Sequence, residues 1–209
     1  MYAEDSDSSN ASRQQANSEN QEQTMQGRVQ PFEPGALEPA QRELFEAIAG
    51  GPRAQGPQHF ALTRPDGSLR GPFNAFLLAP ELGGALQNLG AAIRYRGELT
   101  PRAREIAILL VAAHWDSEFE REAHEAVGAA SGLRPDELAA LRDGDATAFA
   151  GDEGVVAAAT VQLLAGDLDN ELWRVASEAI GAEVVFELTT LVGYYSTLAL
   201  QLRVFRVAP

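Results

Sequence analysis

The chain contains no cysteine and no lysine. Without cysteine there is no disulfide, no thiol redox couple and no zinc–thiolate site. Without lysine, Schiff-base catalysis, pyridoxal phosphate attachment and a phosphate-loop lysine are excluded; all sixteen basic residues are arginine. No run of eighteen apolar residues occurs, so no membrane span is expected. The N-terminus lacks a basic start followed by an apolar stretch, so a cytoplasmic protein without a secretory signal is expected. Basic charge is scarce as well. The formal net charge is −14, which argues against nucleic acid or an anionic membrane as a partner. A small anionic substrate is still allowed, because it needs only a local arginine or two.

What is there divides in two. Residues 1–28 hold no Val, Leu, Ile, Phe or Trp and are rich in Ser, Gln, Asn and acids. Such a segment cannot bury enough apolar area to offset its ordering entropy, so residues 1–30 are expected to be a disordered polar tail. Residues 31–209 are long enough for one domain with its own core, and their patterning is helical. LEPAQRELFEAIAGG predicts a helix stopped by Gly50 and Gly51. Residues 52–71, with a Pro-Asp-Gly turn, predict a long loop. A short turn at PFN and a helix from about Pro80 to Arg94 follow. In TPRAREIAILLVAAHW, Thr100 suits an N-cap and Pro101 the first helical position. Ile106, Leu109, Leu110 and Ala113 recur at spacings of three and four, as a buried helix requires. A helix over about 117–131 stops at Gly132. RPDELAALRDG, DEGVVAAATVQLLAG, DNELWRVASEAIG and AEVVFELTTLVGYYSTLALQLRVF supply four more. No strand alternation and no internal repeat is visible, so the expected fold class is all-α. The last of these helices is apolar nearly all round. A domain of this size can hardly surround it, so it predicts an oligomer interface.

The densest chemistry lies at HWDSEFEREAH, residues 114–124. Glu120 and His124 are four apart and share a helix face; Ser117 lies one turn before Glu120 on the same stripe. Glu105 sits on the preceding helix, which the short Trp-Asp connection folds back alongside. A carboxylate beside a histidine fixes its tautomer and favours its protonated form, making a proton donor and acceptor near neutral pH. A solvated helix face often carries such a pair with no function. Glu105, Glu120 and His124 could also hold a divalent metal, but no anchored third ligand is evident from the spacing, and no metal is assigned.

The order Arg102-x-Arg104-Glu105-x-Ala-Ile-Leu-x-Val-Ala, then Trp115 with Glu120, His124 and Glu125 at spacings of five, four and one, closely resembles the carboxymuconolactone decarboxylase family, which includes the alkyl hydroperoxide reductase D-type proteins. The resemblance covers about residues 70–145. It implies an alkyl hydroperoxide reductase D-like helical domain built as homotrimers or hexamers. The hydroperoxidase branch carries a Glu, a Cys-x-x-Cys and a His as a thiol proton relay. On this chain the Glu falls on Glu105 and the His on His124, while the cysteines fall on Ser117 and Glu120. The peroxidase chemistry is therefore expected to be lost, leaving the acid/base half of the site, which matches the cysteine-free decarboxylase branch.

The resulting expectation is a cofactor-free lyase or isomerase, decarboxylase-like, acting on a small anionic lactone or enol-forming substrate. His124, polarised by Glu120, supplies the proton, and Glu105 orients it or shuttles protons. Arg94 and Arg96 are candidates for the substrate carboxylate, although helix-end arginines are commonly surface residues. Asn74 could donate to an oxyanion, with a turn residue as the alternative. Ser117 and Tyr194 are further candidates for the substrate pocket, with packing as the default for the Tyr194/Tyr195 pair. Two other readings stand beside this one: a non-catalytic helical oligomer that binds a ligand or serves as a structural partner, and, third, a peroxidase borrowing a partner's thiol.

Overall fold

The computed structural model describes residues 27–51, 55 and 60–207. Among these the secondary structure is helical: α1 (Pro39–Ala49), α2 (Pro72–Phe76), α3 (Pro80–Tyr95), α4 (Pro101–Trp115), α5 (Glu118–Ala130), α6 (Pro135–Arg142), α7 (Gly151–Leu164), α8 (Asn170–Ala179) and α9 (Ala182–Phe205), with short 3-10 turns at Pro34–Ala36 and Ala146–Ala148. The only extended pairing among the described residues is an isolated antiparallel bridge between Thr63 and Leu69. The fold is all-α.

Proline opens five of these helices at their first turn, where its missing N–H costs no hydrogen bond. Thr100 caps α4 by accepting a hydrogen bond from the Ala103 N–H at 3.1 Å. Gly132, in the left-handed region, ends α5, and the Leu133 N–H closes the turn on Gly128 O.

α4 is the axis of the molecule, packed against α5, α7 and α9. The spacing of its apolar residues predicts a buried helix, and every residue from Glu105 to Ala112 is buried. The reason is a core on each side. Ala103, Ala107, Ile108 and Val111 join the larger cluster with α9, α3 and α2, while Ile106, Leu109 and Leu110 join a smaller one with Leu133, Leu141 and Phe149. α9, apolar nearly all round in sequence, is covered on one face only. Val185, Leu188, Leu191, Tyr194, Leu198 and Leu202 are buried, whereas Phe186, Leu200 and Val204 are exposed.

The predicted long loop is more ordered in its described part than its composition implies. Around the Pro65-Asp66-Gly67 turn, Arg64 N–H bonds Ser68 O and Arg70 N–H bonds Leu62 O. Asp66 accepts from both the backbone and the hydroxyl of Ser68. This turn drops Leu62 and Leu69 into the core. Residues 1–26 of the expected tail lie outside the described residues, but Gly27 to Gln30 are tied down. Arg28 N–H bonds Phe205 O at 2.9 Å, and the Asn74 amide bonds Gln30 O at 3.2 Å. Backbone pairing, not apolar burial, holds this stretch, so composition does not announce it.

Candidate acid/base site at the α4–α5 junction

α4 and α5 meet through Asp116, whose φ of 50° places it in the left-handed region that a short polar side chain tolerates. The Ser117 N–H returns to Ala112 O at 2.9 Å, closing the turn that reverses the chain. This reversal lays α5 along α4 and sets Glu105 of one helix opposite Glu120 and His124 of the other.

His124 lies between the two carboxylates. Its Nδ1 is 2.6 Å from Glu105 Oε2, and its Nε2 is 3.4 Å from Glu120 Oε2. All three are withdrawn from solvent, with exposures of 0% for Glu105, 3% for Glu120 and 4% for His124. The edge of Tyr195, from α9, meets the imidazole at a centroid distance of 5.2 Å. Burial pushes the Glu105 carboxyl up. The His124 charge and hydrogen bond, with Arg104 and Arg94 behind them, outweigh that and hold it below the usual carboxylate range. Glu105 is therefore ionised at neutral pH and accepts a hydrogen bond from Nδ1–H, which leaves Nε2 facing Glu120. A bond between Nε2 and Glu120 then requires one further proton, carried by either group.

Around this trio is a small chamber of about 20 Å³, walled in part by Phe60, Phe73, Phe119 and Leu198. It has room for about one water molecule. Phe119 rests over Gly71, where φ is 57° and any Cβ would overlap the ring. Phe60 meets Phe119 edge-on at 6.5 Å.

The residues named from sequence fall in different places. Glu105, Glu120 and His124 converge. The closer partner of the histidine is Glu105, with Glu120 at the opposite nitrogen, which inverts their expected order. Ser117 is buried near the site, at the start of α5, and makes no capping hydrogen bond. Tyr194 is buried beside the chamber; its ring meets Tyr195 edge-on at 5.2 Å, and its hydroxyl lies where a Cβ on Gly90 would stand. Asn74 is drawn elsewhere: its Oδ1 accepts from the Phe32 N–H at 3.0 Å and its Nδ2 donates to Gln30 O, so it pins the N-terminal segment and does not line the chamber. Arg96 is exposed at the end of α3 and Arg94 acts on Glu105 from outside, and neither lines the chamber. Among the described residues no group of three or more His, Asp and Glu is arranged to hold a metal ion.

Sequence reasoning missed Arg104. Its Nε lies 3.5 Å from Glu105 Oε1, an ion-pair distance without a hydrogen bond, while its Nη1 donates to Arg94 O at 3.1 Å. Adjacent helix positions point about 100° apart, so Arg104 gave no facing signal, although it stands inside the Arg-x-Arg-Glu motif. The Tyr194/Tyr195 pair was named with packing as its default, and both line the chamber; within the apolar last helix nothing marks Tyr195 as the one that meets His124.

No curated protein and no solved structure matches the chain. The stretch over residues 80–162, which holds Glu105, Glu120 and His124, matches the model of the carboxymuconolactone decarboxylase family.

Proposed function

We propose that the chain is a decarboxylase-like lyase or isomerase that works by acid/base chemistry, without a cofactor, on a small anionic lactone or enol-forming substrate. The observation that carries this reading is the position of His124 between two buried carboxylates, 2.6 and 3.4 Å away. In decarboxylation the bond from carbon to the carboxylate breaks, carbon dioxide leaves, and the electron pair passes into the conjugated carbonyl as an enolate. A proton must then reach carbon. Nε2 of His124, with Glu120 beside it, delivers it, while Glu105 steadies the ring and the positive charge that forms on it. Isomerisation uses the same groups, taking a proton from one carbon and returning it to another.

The family match supports this class of function without naming the substrate. The peroxidase reading loses support because Ser117 and Glu120 stand where its thiols would be. The non-catalytic reading has one observation in its favour, the small volume of the chamber, about 20 Å³, which is room for about one water molecule. Decarboxylation of γ-carboxymuconolactone, followed by carbon dioxide release beside a His124→Ala control, tests the proposal. Turnover that vanishes in the control is the expected result. A folded protein with no turnover on this or related carboxylated lactones would shift the reading to a binding protein.

We also propose self-association through the outer face of α9. Phe186, Thr189, Gly193, Thr197, Leu200 and Val204 form an exposed, uncharged stripe on a molecule of net charge −14. The hydroxyls of Thr189 and Thr197 are turned back to Val185 O and Gly193 O, leaving their methyl groups outward. A second copy meeting this stripe buries apolar surface where no like charges oppose it.

A further inference from the structure

Beside the small chamber, at the start of α5, lies a second cavity of about 260 Å³, lined in part by Trp115, Ser117, Phe119, Leu202 and Arg203. Two hydrogen-bond donors there are unmatched. Ser117 is only 7% exposed and its Oγ has no hydrogen-bond partner among the described residues; Trp115 Nε1 is buried and likewise unbonded. A buried donor left unsatisfied costs free energy, so each calls for an acceptor. Arg203 adds a cation. Its Nη2 donates to Trp115 O at 2.8 Å, which holds the guanidinium at the rim with further N–H groups to offer. Asp116 and Glu118 also line the cavity, but both are exposed and solvated, and Glu118 has Arg121 within 4.0 Å. Arg203 is exposed as well, so the rim charges of both signs are screened alike, and the buried donors add a preference for an acceptor that these charges alone do not set.

We infer that this cavity is a carboxylate subsite, in which Ser117 Oγ–H, Trp115 Nε1–H and Arg203 hold the anionic end of the substrate. A carboxylate offers acceptors to all three donors at once, whereas a neutral carbonyl offers fewer and no charge for Arg203. Ala199, Leu202 and Val207 give apolar walls for the adjoining carbon body. Phe119 lines this cavity and the chamber alike. It is the partition between an anion held by Ser117 and a reacting carbon at His124, so displacing its ring joins the two spaces. The inference rests on the proposed acid/base function for the identity of the ligand as substrate, but the binding itself is measured separately.

The chain has two tryptophans, and Trp173 on α8 is half-exposed and serves as an internal reference. Nitrogen-15 NMR of the full chain, titrated with phenylacetate, reads the Trp115 indole N–H directly, with Trp115→Phe assigning the signal. Phenylacetate is expected to move that signal and leave Trp173 in place. Phenylacetamide and inorganic sulfate should produce little change. Arg203→Gln should weaken phenylacetate roughly tenfold, and Ser117→Ala about threefold. His124→Ala should retain binding. An unmoved Trp115 signal, or an equal response to the neutral amide or to sulfate, overturns the subsite. Turnover with an unmoved Trp115 signal would sink the subsite alone; selective phenylacetate binding without any turnover would sink the proposed chemistry alone.

Discussion

At the scale of single residues, the account turns on what each neighbour does to His124. Glu105→Gln keeps the shape and removes the negative charge that orients the ring and stabilises its protonated form. It should lower kcat by about a hundredfold or more with a smaller change in KM, read by steady-state kinetics on the first substrate found. The same carboxyl links stability to pH. Its folded pKa is depressed, so its contribution is complete above the ordinary carboxylate range and is lost as pH falls through the folded value, which lies below that range. Urea unfolding should therefore show the wild-type advantage over Glu105→Gln at pH 7 shrinking toward pH 3, and an advantage constant with pH would contradict the assignment. Of the trio, Glu120 and His124 were legible because they share one helix at a spacing of four. Glu105 required the short Trp115-Asp116 connection to fold back, which it does. What the spacing could not supply was the order of the partners. That depends on the ring's rotation between two helices, where Glu105 takes the short contact. Arg104 was illegible because it is the immediate neighbour of Glu105 on one helix, a spacing that predicts no shared face, and the arginines proposed instead, Arg94 and Arg96, do not line the chamber.

At the scale of elements, helix starts and stops were readable where the side chain acts on its own backbone. Thr100, the first-turn prolines and Gly132 are such cases. Elements held by distant partners were not. The stretch from Gly27 to Phe32 depends on Asn74 and Phe205, residues far along the chain. Glu187 is a similar case. This α9 carboxylate accepts from the Glu98 and Leu99 N–H groups at 2.6 and 3.2 Å, fixing the approach to α4. A Cβ on Gly97 would collide with it, so the glycine makes the contact possible. Glu187→Ala should cost roughly 1–2 kcal/mol of stability by denaturant titration, comparable to loss of a helix cap, and Gly97→Ala should also destabilise. No loss in either variant would show that α9 does not position α4 through this contact.

At the scale of the whole molecule, α4, whose apolar spacing predicts a buried helix, is the shared wall of two apolar clusters. Small residues, Ala103, Ala107 and Ala112, allow close packing on sides that the larger apolar residues do not mark. Arg102 ties the same assembly together from outside, paired with Glu137 of α6 at 3.0 Å and Glu153 of α7 at 2.8 Å. The exposed face of α9 carries the remaining expectation. Phe186 is 76% exposed, so Phe186→Glu introduces charge on the proposed contact at little cost to the folded monomer. Sedimentation velocity should show a wild-type oligomer and a lighter variant; a monomeric wild type would contradict self-association through this stripe. The proton itself can be followed. Turnover of γ-carboxymuconolactone in deuterium oxide should place one deuterium, with a single stereochemistry, on the carbon protonated after loss of carbon dioxide, and His124→Ala should abolish that product. Unchanged, equally stereospecific deuteration by the His124 variant would show that the proton comes from elsewhere and would contradict the account.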